Sequence, residues 1–338
     1  MKLLYLSCHA ILEFDELKIF NELGIEFYSL GVYSNPKEPL DNIRPPLEIE
    51  PNPRWISMQC SRENISQDFI KEFDVVMIMH MPDWIEKNWE KMREKVVIWR
   101  TIGQSSPYAE RVVRKFRKQG LKIVRYSPKE RTIKGFAGED ALIRFYKDPE
   151  EFGHWRGIDP SILTVCQSLR KRSMGNNFHF YQKTTNGFPN KLFGRGNEDI
   201  PYSGGEISYE KMKTEMRNCR IYLSVGTKPA SYTLNFVEAW MTGIPLVAVG
   251  RRRGNPFFLR GSLNPIRKDL YEVPDFLSDG SGFCSDDISE LRNYIRKLLE
   301  DYEFAKTVGE RGRKKAIELF GKNNIKNNWR NFFKALQK

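Results

Sequence analysis

Several features that would assign this sequence early are missing from it. No Asp-x-Asp occurs in its 338 residues, so the closely spaced carboxylates that bridge a diphosphate through a divalent cation are lacking, and no metal site is expected. A Walker phosphate loop, an HExxH zinc helix and a GxSxG nucleophile elbow are also missing. No stretch approaches the roughly 18–20 apolar residues that a bilayer-crossing helix needs. The five cysteines, Cys8, Cys60, Cys166, Cys219 and Cys284, are odd in number, scattered, and form no CxxC pair. That pattern argues against a disulfide framework or zinc ribbon and fits a reducing cytoplasm. Residues 1–6 carry no long apolar core and no small-residue cleavage site, so they read as a first buried strand rather than a signal peptide.

What is present is a basic, globular composition. The formal charge is +12, which points to anionic partners: nucleotide phosphates, lipid headgroups, phosphate-bearing glycans or nucleic acid. A length of 338 residues suits two domains. Short apolar runs alternate with helical patterns, the sequence form of a parallel α/β sheet. Strands are expected at 3–7, 74–79, 96–100 and 122–126, with helices at 14–23 and 107–119. The pattern repeats with strands at 162–166, 191–193, 221–225 and 245–249. Turn formers in Trp155-Arg156-Gly157-Ile158-Asp159-Pro160 mark the expected boundary, giving domains 1–157 and 158–322. Residues 35–53 form a proline-containing connection. Ser285 or Asp286 caps a helix with Ile288, Leu291, Ile295, Leu298 and Leu299 on one face. A further helix runs through Phe320, and a terminal one carries Ile325, Trp329, Phe332 and Phe333.

The most informative segment runs from Thr227 to Gly250. A strand ending at Val225 leads into a helix starting near Ser231, which Gly243 is placed to end before Pro245 opens the next strand. On that helix Leu234, Val237 and Met241 read as a buried stripe, while Asn235, Glu238 and Thr242 share another face. A polar stripe beside a helix N-terminus, at the carboxyl end of a sheet, is suited to a nucleoside diphosphate. Free N–H groups would meet phosphate there, and a carboxylate would accept from ribose hydroxyls. An ordinary amphipathic helix would show the same spacing.

The run Asn235-Phe-Val-Glu238-Ala-Trp-Met-Thr-Gly243-Ile-Pro245-Leu-Val resembles the EAxxxGxPVV signature of family 4 glycosyltransferases of the GT-B fold. Around it, in order, Lys191-Leu-Phe-Gly194-Arg-Gly196 resembles the strand and Gly-x-Gly turn under the donor base. Ile207-Ser-Tyr-Glu-Lys-Met resembles the helix start that follows, and Phe276-Leu-Ser-Asp279-Gly280-Ser-Gly282-Phe283 the family's "dGxnG" segment. The resemblance covers nearly all of 160–320.

It implies two Rossmann-like domains facing each other across a cleft, with the donor in the C-terminal domain and helix 323–338 packing back on the N-terminal, acceptor-side domain. It makes Glu238 the ribose-binding carboxylate, with Ser231, Tyr232, Thr233, Leu234 and Asn235 around the donor and Gly194 and Gly196 beneath its base. Ala230 stands where the family has the first glutamate of its Glu-x7-Glu motif, near the transferred sugar. In Cys166-Gln-Ser-Leu-Arg170-Lys171-Arg172, Arg170, Lys171 and Arg172 are the candidates for neutralising the leaving diphosphate. The N-terminal half offers His80, ending a buried strand, as the residue beside the donor sugar, with a hydrogen-bonded core histidine as the plain alternative. His9, which could also face the phosphates, and Thr101, Gly103 and Gln104 are acceptor-side candidates.

The implied activity is metal-independent hexosyl transfer, with retention, from a nucleoside diphosphate to a hydroxyl of a glycan or lipid-linked acceptor. No cofactor is expected beyond that co-substrate. A DNA-modifying glycosyltransferase and a nucleotide-sugar-binding protein without turnover are the alternatives. Helix 108–118 sets Val112, Val113 and Phe116 among Arg111, Arg114, Lys115, Arg117 and Lys118, a form able to lie on an anionic membrane at the inner face. The basic loop Arg251-Arg252-Arg253-Gly254-Asn255-Pro256-Phe257-Phe258 could hold a phosphate-bearing acceptor or a lipid headgroup, and its interleaved aromatics also suit single-stranded nucleic acid. Solvated faces of ordinary elements are the plain reading for both. The pair Glu139-Asp140 reads as solvated surface.

Overall fold

A computed structural model describes residues 1–32, 44–45, 47–50, 52–58, 60–103, 105–255 and 269–337. Gln104, most of the 35–53 connection and residues 256–258 of the basic loop lie outside that set. The chain divides into two compact units, one of residues 1–145 with 323–338 and the other of residues 146–322.

Among the described residues, the first unit is built on six parallel strands: β1 (Lys2–Leu6), β2 (Glu26–Ser29), β3 (Val75–Met79), β4 (Val96–Arg100), β5 (Lys122–Arg125) and β6 (Ala141–Leu142). Their order is β2-β1-β3-β4-β5-β6. A parallel sheet is covered on both faces, so its strands are apolar without alternation. All five residues of β3 are buried accordingly. The Pro107–Arg117 helix lays Val112, Val113 and Phe116 into this core. Its apolar face is therefore used inside the protein and is not free to enter a membrane. The terminal helix Lys322–Leu336 belongs to the same unit from residue 323 on, where Trp329 and Phe333 meet Phe20 edge-on at 5.2 and 5.6 Å.

The second unit carries β7 (Asp159–Val165), β8 (Asn190–Phe193), β9 (Cys219–Ser224), β10 (Leu246–Val249) and β11 (Phe283–Ser285), all parallel. The order is β11-β10-β9-β7-β8. The boundary lies at 145/146 rather than 157/158, because residues 146–157 already bond within the second unit. Lys147 N–H donates to Phe320 O at 3.0 Å, Trp155 Nε1 to Cys219 O at 2.9 Å, and Arg156 N–H to Arg217 O at 2.7 Å.

Both sheets have a point where the chain reverses direction across the sheet. From β1 it goes to β2 on one side and then to β3 on the other; from β7 it goes to β8 and then to β9. Open α/β sheets bind ligands outside the carboxyl ends of the strands flanking such a switch. Among the described residues, three of the four non-glycine residues at positive φ stand there: His80 after β3, and Ser168 and Asn177 between β7 and β8. Conformations of this kind gather at functional sites.

Candidate functional site

In the second unit, two loops meet at the switch point. The loop after β7 and the loop after β9 are joined by Asn177 Nδ2 donating to Val225 O at 2.8 Å and Lys228 N–H donating to Gly175 O at 2.9 Å. Buried Asn197 fastens the first loop to the turn after β8: its Nδ2 donates to Cys166 O and Gly194 O at 2.7 and 2.9 Å, and its Oδ1 accepts from Leu169 N–H at 2.7 Å. Gly194, at φ 137°, leaves no room for a side chain, since a Cβ there would overlap the carbonyl of Cys166. Thr233 then caps the Leu234–Thr242 helix, its side chain accepting from Phe236 N–H at 3.3 Å.

Two half-buried cations near this place, Lys228 and Arg253, have side chains that form no ion pair among the described residues. Lys228 is half-buried, and no hydrogen bond or ion pair engages its Nζ among the described residues. Burial, with the Arg253 guanidinium adding to it, holds its ammonium below the usual lysine range. Arg253 donates from its backbone N–H to Asp286 Oδ1 at 2.8 Å and from Nε to Asp286 O at 3.2 Å and lies over the Phe180 ring, but its guanidinium forms no ion pair among the described residues. Arg172 opens the short helix after β7 and is close enough to Cys166 to act against burial, which pushes that thiol up to about 12. Like charges gathered on partly desolvated groups disfavour each other unless an anion joins them. Asn176 adds a buried Oδ1 that meets no donor among the described residues.

The residues singled out in the sequence fall into this frame unevenly. Arg170 and Lys171 are exposed and committed elsewhere, Arg170 donating to Asp199 O at 2.7 Å and Lys171 pairing with Glu198 at 3.4 Å. Gly196 packs against Ser168, so the Gly-x-Gly turn buttresses the β7 loop. Asn235 Nδ2 donates to Val165 O at 3.1 Å. Ser231 and Tyr232 are buried, and the Tyr232 ring sits with Phe276 and Phe320 at 5.6 and 5.2 Å. Leu234 opens the helix half-buried rather than joining a buried stripe.

The expected open polar face of that helix does not exist. Every residue from Phe236 to Thr242 is buried: Lys147 stands against Glu238, Phe276 and Phe320 cover the other side, carrying Phe236 and Trp240, and Gly243 packs against Gly309. Glu238 instead pairs with Lys147 at 2.8 Å, both side chains 2% exposed.

In the first unit, the carboxyl ends of β1, β3 and β4 lie side by side. His80, at φ 62°, donates its N–H to Arg100 O at 2.8 Å, and a Cβ on Gly103 would stand 3.8 Å from its Cε1. Burial holds its imidazole below the usual histidine range, and its Nδ1 meets no partner among the described residues. It therefore offers a neutral ring with a spare nitrogen, which the hydrogen-bonded core histidine would not. His9 caps the Ala10–Glu22 helix. Thr101 is fully buried and gives its hydroxyl to Glu130 Oε1 at 2.8 Å, so it supports the loop from within rather than meeting a ligand. Glu139 and Asp140, expected as solvated surface, hold Arg131 and the backbone N–H of Ile123.

Lys228, Asn176 and Asn197 go unnoticed in the sequence because nothing local distinguishes them, whereas Arg253 belongs to the basic loop already singled out there. Among the described residues, Asp159, Glu215 and Cys219 have a spacing that could hold a metal ion. Lys191 already stands there, its Nζ 2.8 Å from Asp159 and 2.7 Å from Glu215, at the amino ends of β7 and β9 away from the switch loops.

No family model matches the chain, and no curated protein does. Solved structures do. The chain is similar to sucrose-phosphate synthase from Thermosynechococcus elongatus, with a TM-score of 0.67 at 12% identity over 99% of both chains. It is similar to a glycosyltransferase from Rickettsia africae, with a TM-score of 0.71 at 11% identity, covering all of this chain and 98% of the other. It is also similar to HepE of Anabaena, solved in complex with UDP and glucose, with a TM-score of 0.64 at 12% identity over 99% of this chain and all of the other. The fold is that of GT-B glycosyltransferases: two Rossmann-like α/β units on parallel sheets.

Proposed function

We propose that the chain is a glycosyltransferase that moves a hexose from a nucleoside-diphosphate sugar to a hydroxyl of a glycan or lipid-linked acceptor. The observation that carries this reading is the half-buried pair of cations Lys228, after β9, and Arg253, after β10, neither side chain meeting a carboxylate among the described residues, with exposed Arg172 after β7. It lies where doubly wound sheets bind nucleotides. Its chemistry is that of a diphosphate site, with point charge from lysine and forked donors from arginine. The fold shared with HepE, whose structure holds UDP and glucose, supports the same reading.

In this scheme Lys228, Arg253 and Arg172 stabilise charge as it develops on the leaving diphosphate, together with free N–H groups at the start of the Leu234–Thr242 helix. In this reading protein cations supply the electrostatic stabilisation that a metal otherwise gives. The acceptor hydroxyl attacks from the face of the departing phosphate, whose oxygen takes the proton, with retention of configuration. In the first unit, His80 offers its neutral ring as a contact for a sugar hydroxyl. Glu238 reaches a ribose only by exchanging Lys147 for the ribose hydroxyls. A lipid-linked acceptor would bring the protein to an anionic membrane through charge alone, since the apolar face of the Pro107–Arg117 helix is buried.

Ala230 favours a second reading, a protein that binds nucleotide sugars without turnover, because no carboxylate stands at that position. The test is a panel of UDP-, GDP-, ADP-, CMP- and dTDP-sugars, read both as a shift in melting temperature and as release of nucleoside diphosphate, with and without EDTA. Stabilisation by one nucleotide class with EDTA-insensitive release supports transfer or donor hydrolysis. Stabilisation without release supports the second reading, and no response to any donor overturns both.

A further inference from the structure

At the ends of β4 and β5 the first unit holds two fully buried arginines, and both are neutralised. Arg100 pairs with Glu16 at 2.8 Å, and Arg125 pairs with Glu110 at 2.8 Å and with Glu130 at 3.3 Å. A third, Arg62, is not. Its Nη1 donates to Ser7 O, its guanidinium carbon lies 5.0 Å from the centre of the Trp84 ring, and no carboxylate is within ion-pair distance among the described residues. The segment that carries it is fixed from below: buried Asn88 donates from Nδ2 to Arg62 O at 3.0 Å and accepts from Ile65 N–H at 2.9 Å. A half-buried guanidinium on a rigid stem, stacked on an indole and with most of its donors unused, is a prepared oxyanion receptor.

Its position ties it to the candidate site. Ser7 and Cys8 follow β1, Cys8 Sγ donates to Met79 O at 3.4 Å, and Met79 precedes His80. The Arg62 charge acts against the burial that pushes the Cys8 thiol up to about 11, which places guanidinium and thiol close together. Arg62, Cys8 and His80 therefore share the carboxyl ends of β1 and β3, the pair flanking the switch of this sheet.

We propose that Arg62 receives an anionic oxygen group of the acceptor, a phosphate or a carboxylate, beside His80. This rests on the glycosyl-transfer reading and narrows it, since the hydroxyl that is glycosylated then belongs to an acid. Arg62 is a binding residue. It takes no part in the bond changes at the sugar.

The test uses the full chain and three small probes, glycerol phosphate, glycerate and glycerol, titrated with and without saturating UDP and followed by tryptophan fluorescence and calorimetry. Saturable binding of glycerol phosphate or of glycerate, with glycerol inert and UDP not competing, is expected. The stronger of the two anions tells which group the acceptor carries. Arg62→Gln should weaken it at least about tenfold, the loss of a charge-assisted hydrogen bond, while Arg62→Lys keeps part of it. Melting temperature and UDP binding report whether each variant is folded. Equal affinity in Arg62→Gln, no anion binding at all, or displacement of the anion by UDP overturns the proposal. Anion binding that persists in a protein with no affinity for any nucleotide sugar overturns the donor reading and leaves the Arg62 site standing.

Discussion

Lys147 and Glu238 form an ion pair at 2.8 Å with both side chains sealed from solvent, joining the segment that opens the second unit to the helix after β9. Breaking a buried pair by removing one partner leaves an uncompensated charge and costs about 3–5 kcal/mol. Glu238→Ala is therefore expected to lower stability by that order in a denaturant titration, before any effect on ligand. Replacing both residues by apolar ones of similar volume should recover most of the loss. A fully stable Glu238→Ala protein would show that the pair is not a structural element.

Lys228 and Arg170 separate two readings of the phosphate site. Lys228 is half-buried without an ion pair among the described residues, whereas Arg170 is exposed and bonded to Asp199. Lys228→Ala should weaken nucleoside-diphosphate binding at least about tenfold by calorimetry, the loss of one charge-assisted contact. Arg170→Ala should change it by less than about threefold, as expected of exposed charges. Equal losses in both variants would return the diphosphate to the β7 loop alone.

The strands could be read from the sequence because parallel strands are buried on both faces and spell continuous apolar runs, as Val96 to Arg100 does. Glu26–Ser29 and Phe283–Ser285 escaped because three or four residues with polar ends carry no such run. Gly243 ended its helix where expected, at φ 89°, since a left-handed terminus is written into residue type. The burial of Glu238 was not legible. Its i+3 and i+4 spacing groups it with Asn235 and Thr242, away from Leu234, Val237 and Met241, but only Lys147, distant in sequence, shows that this face is closed. Lys228 and Arg253 likewise come together only through the fold of the β9 and β10 loops.

Glu130 predicts a pH dependence. Burial raises its carboxyl to about 7, against the opposing pull of Arg125 and the hydrogen bonds from Thr101, Tyr126 and Ser127. Glu110 shares the same guanidinium at 2.8 Å. A carboxyl whose folded pKa lies above its unfolded value near 4.5 binds more protons when folded, so its stabilising contribution is complete below 4.5 and is lost as pH rises through about 7. Melting temperature should fall across that window, and Glu130→Gln should flatten the fall. Unchanged pH dependence in that variant would mean that another group titrates.

His80 combines a strained backbone with a proposed role, and two substitutions separate them. A left-handed residue other than glycine costs roughly 1–2 kcal/mol, and His80 carries it at φ 62°. His80→Ala removes the ring and keeps the strain, while His80→Gly removes both. Both should lose sugar transfer, measured as product formed at saturating donor, because the neutral ring beside Gly103 is gone in each. Their stabilities should differ, His80→Gly exceeding His80→Ala by about 1 kcal/mol in chemical denaturation, strain relief set against the greater chain entropy of glycine. If both variants transfer sugar at the native rate, the ring has no part in the reaction, and the left-handed turn serves the loop alone.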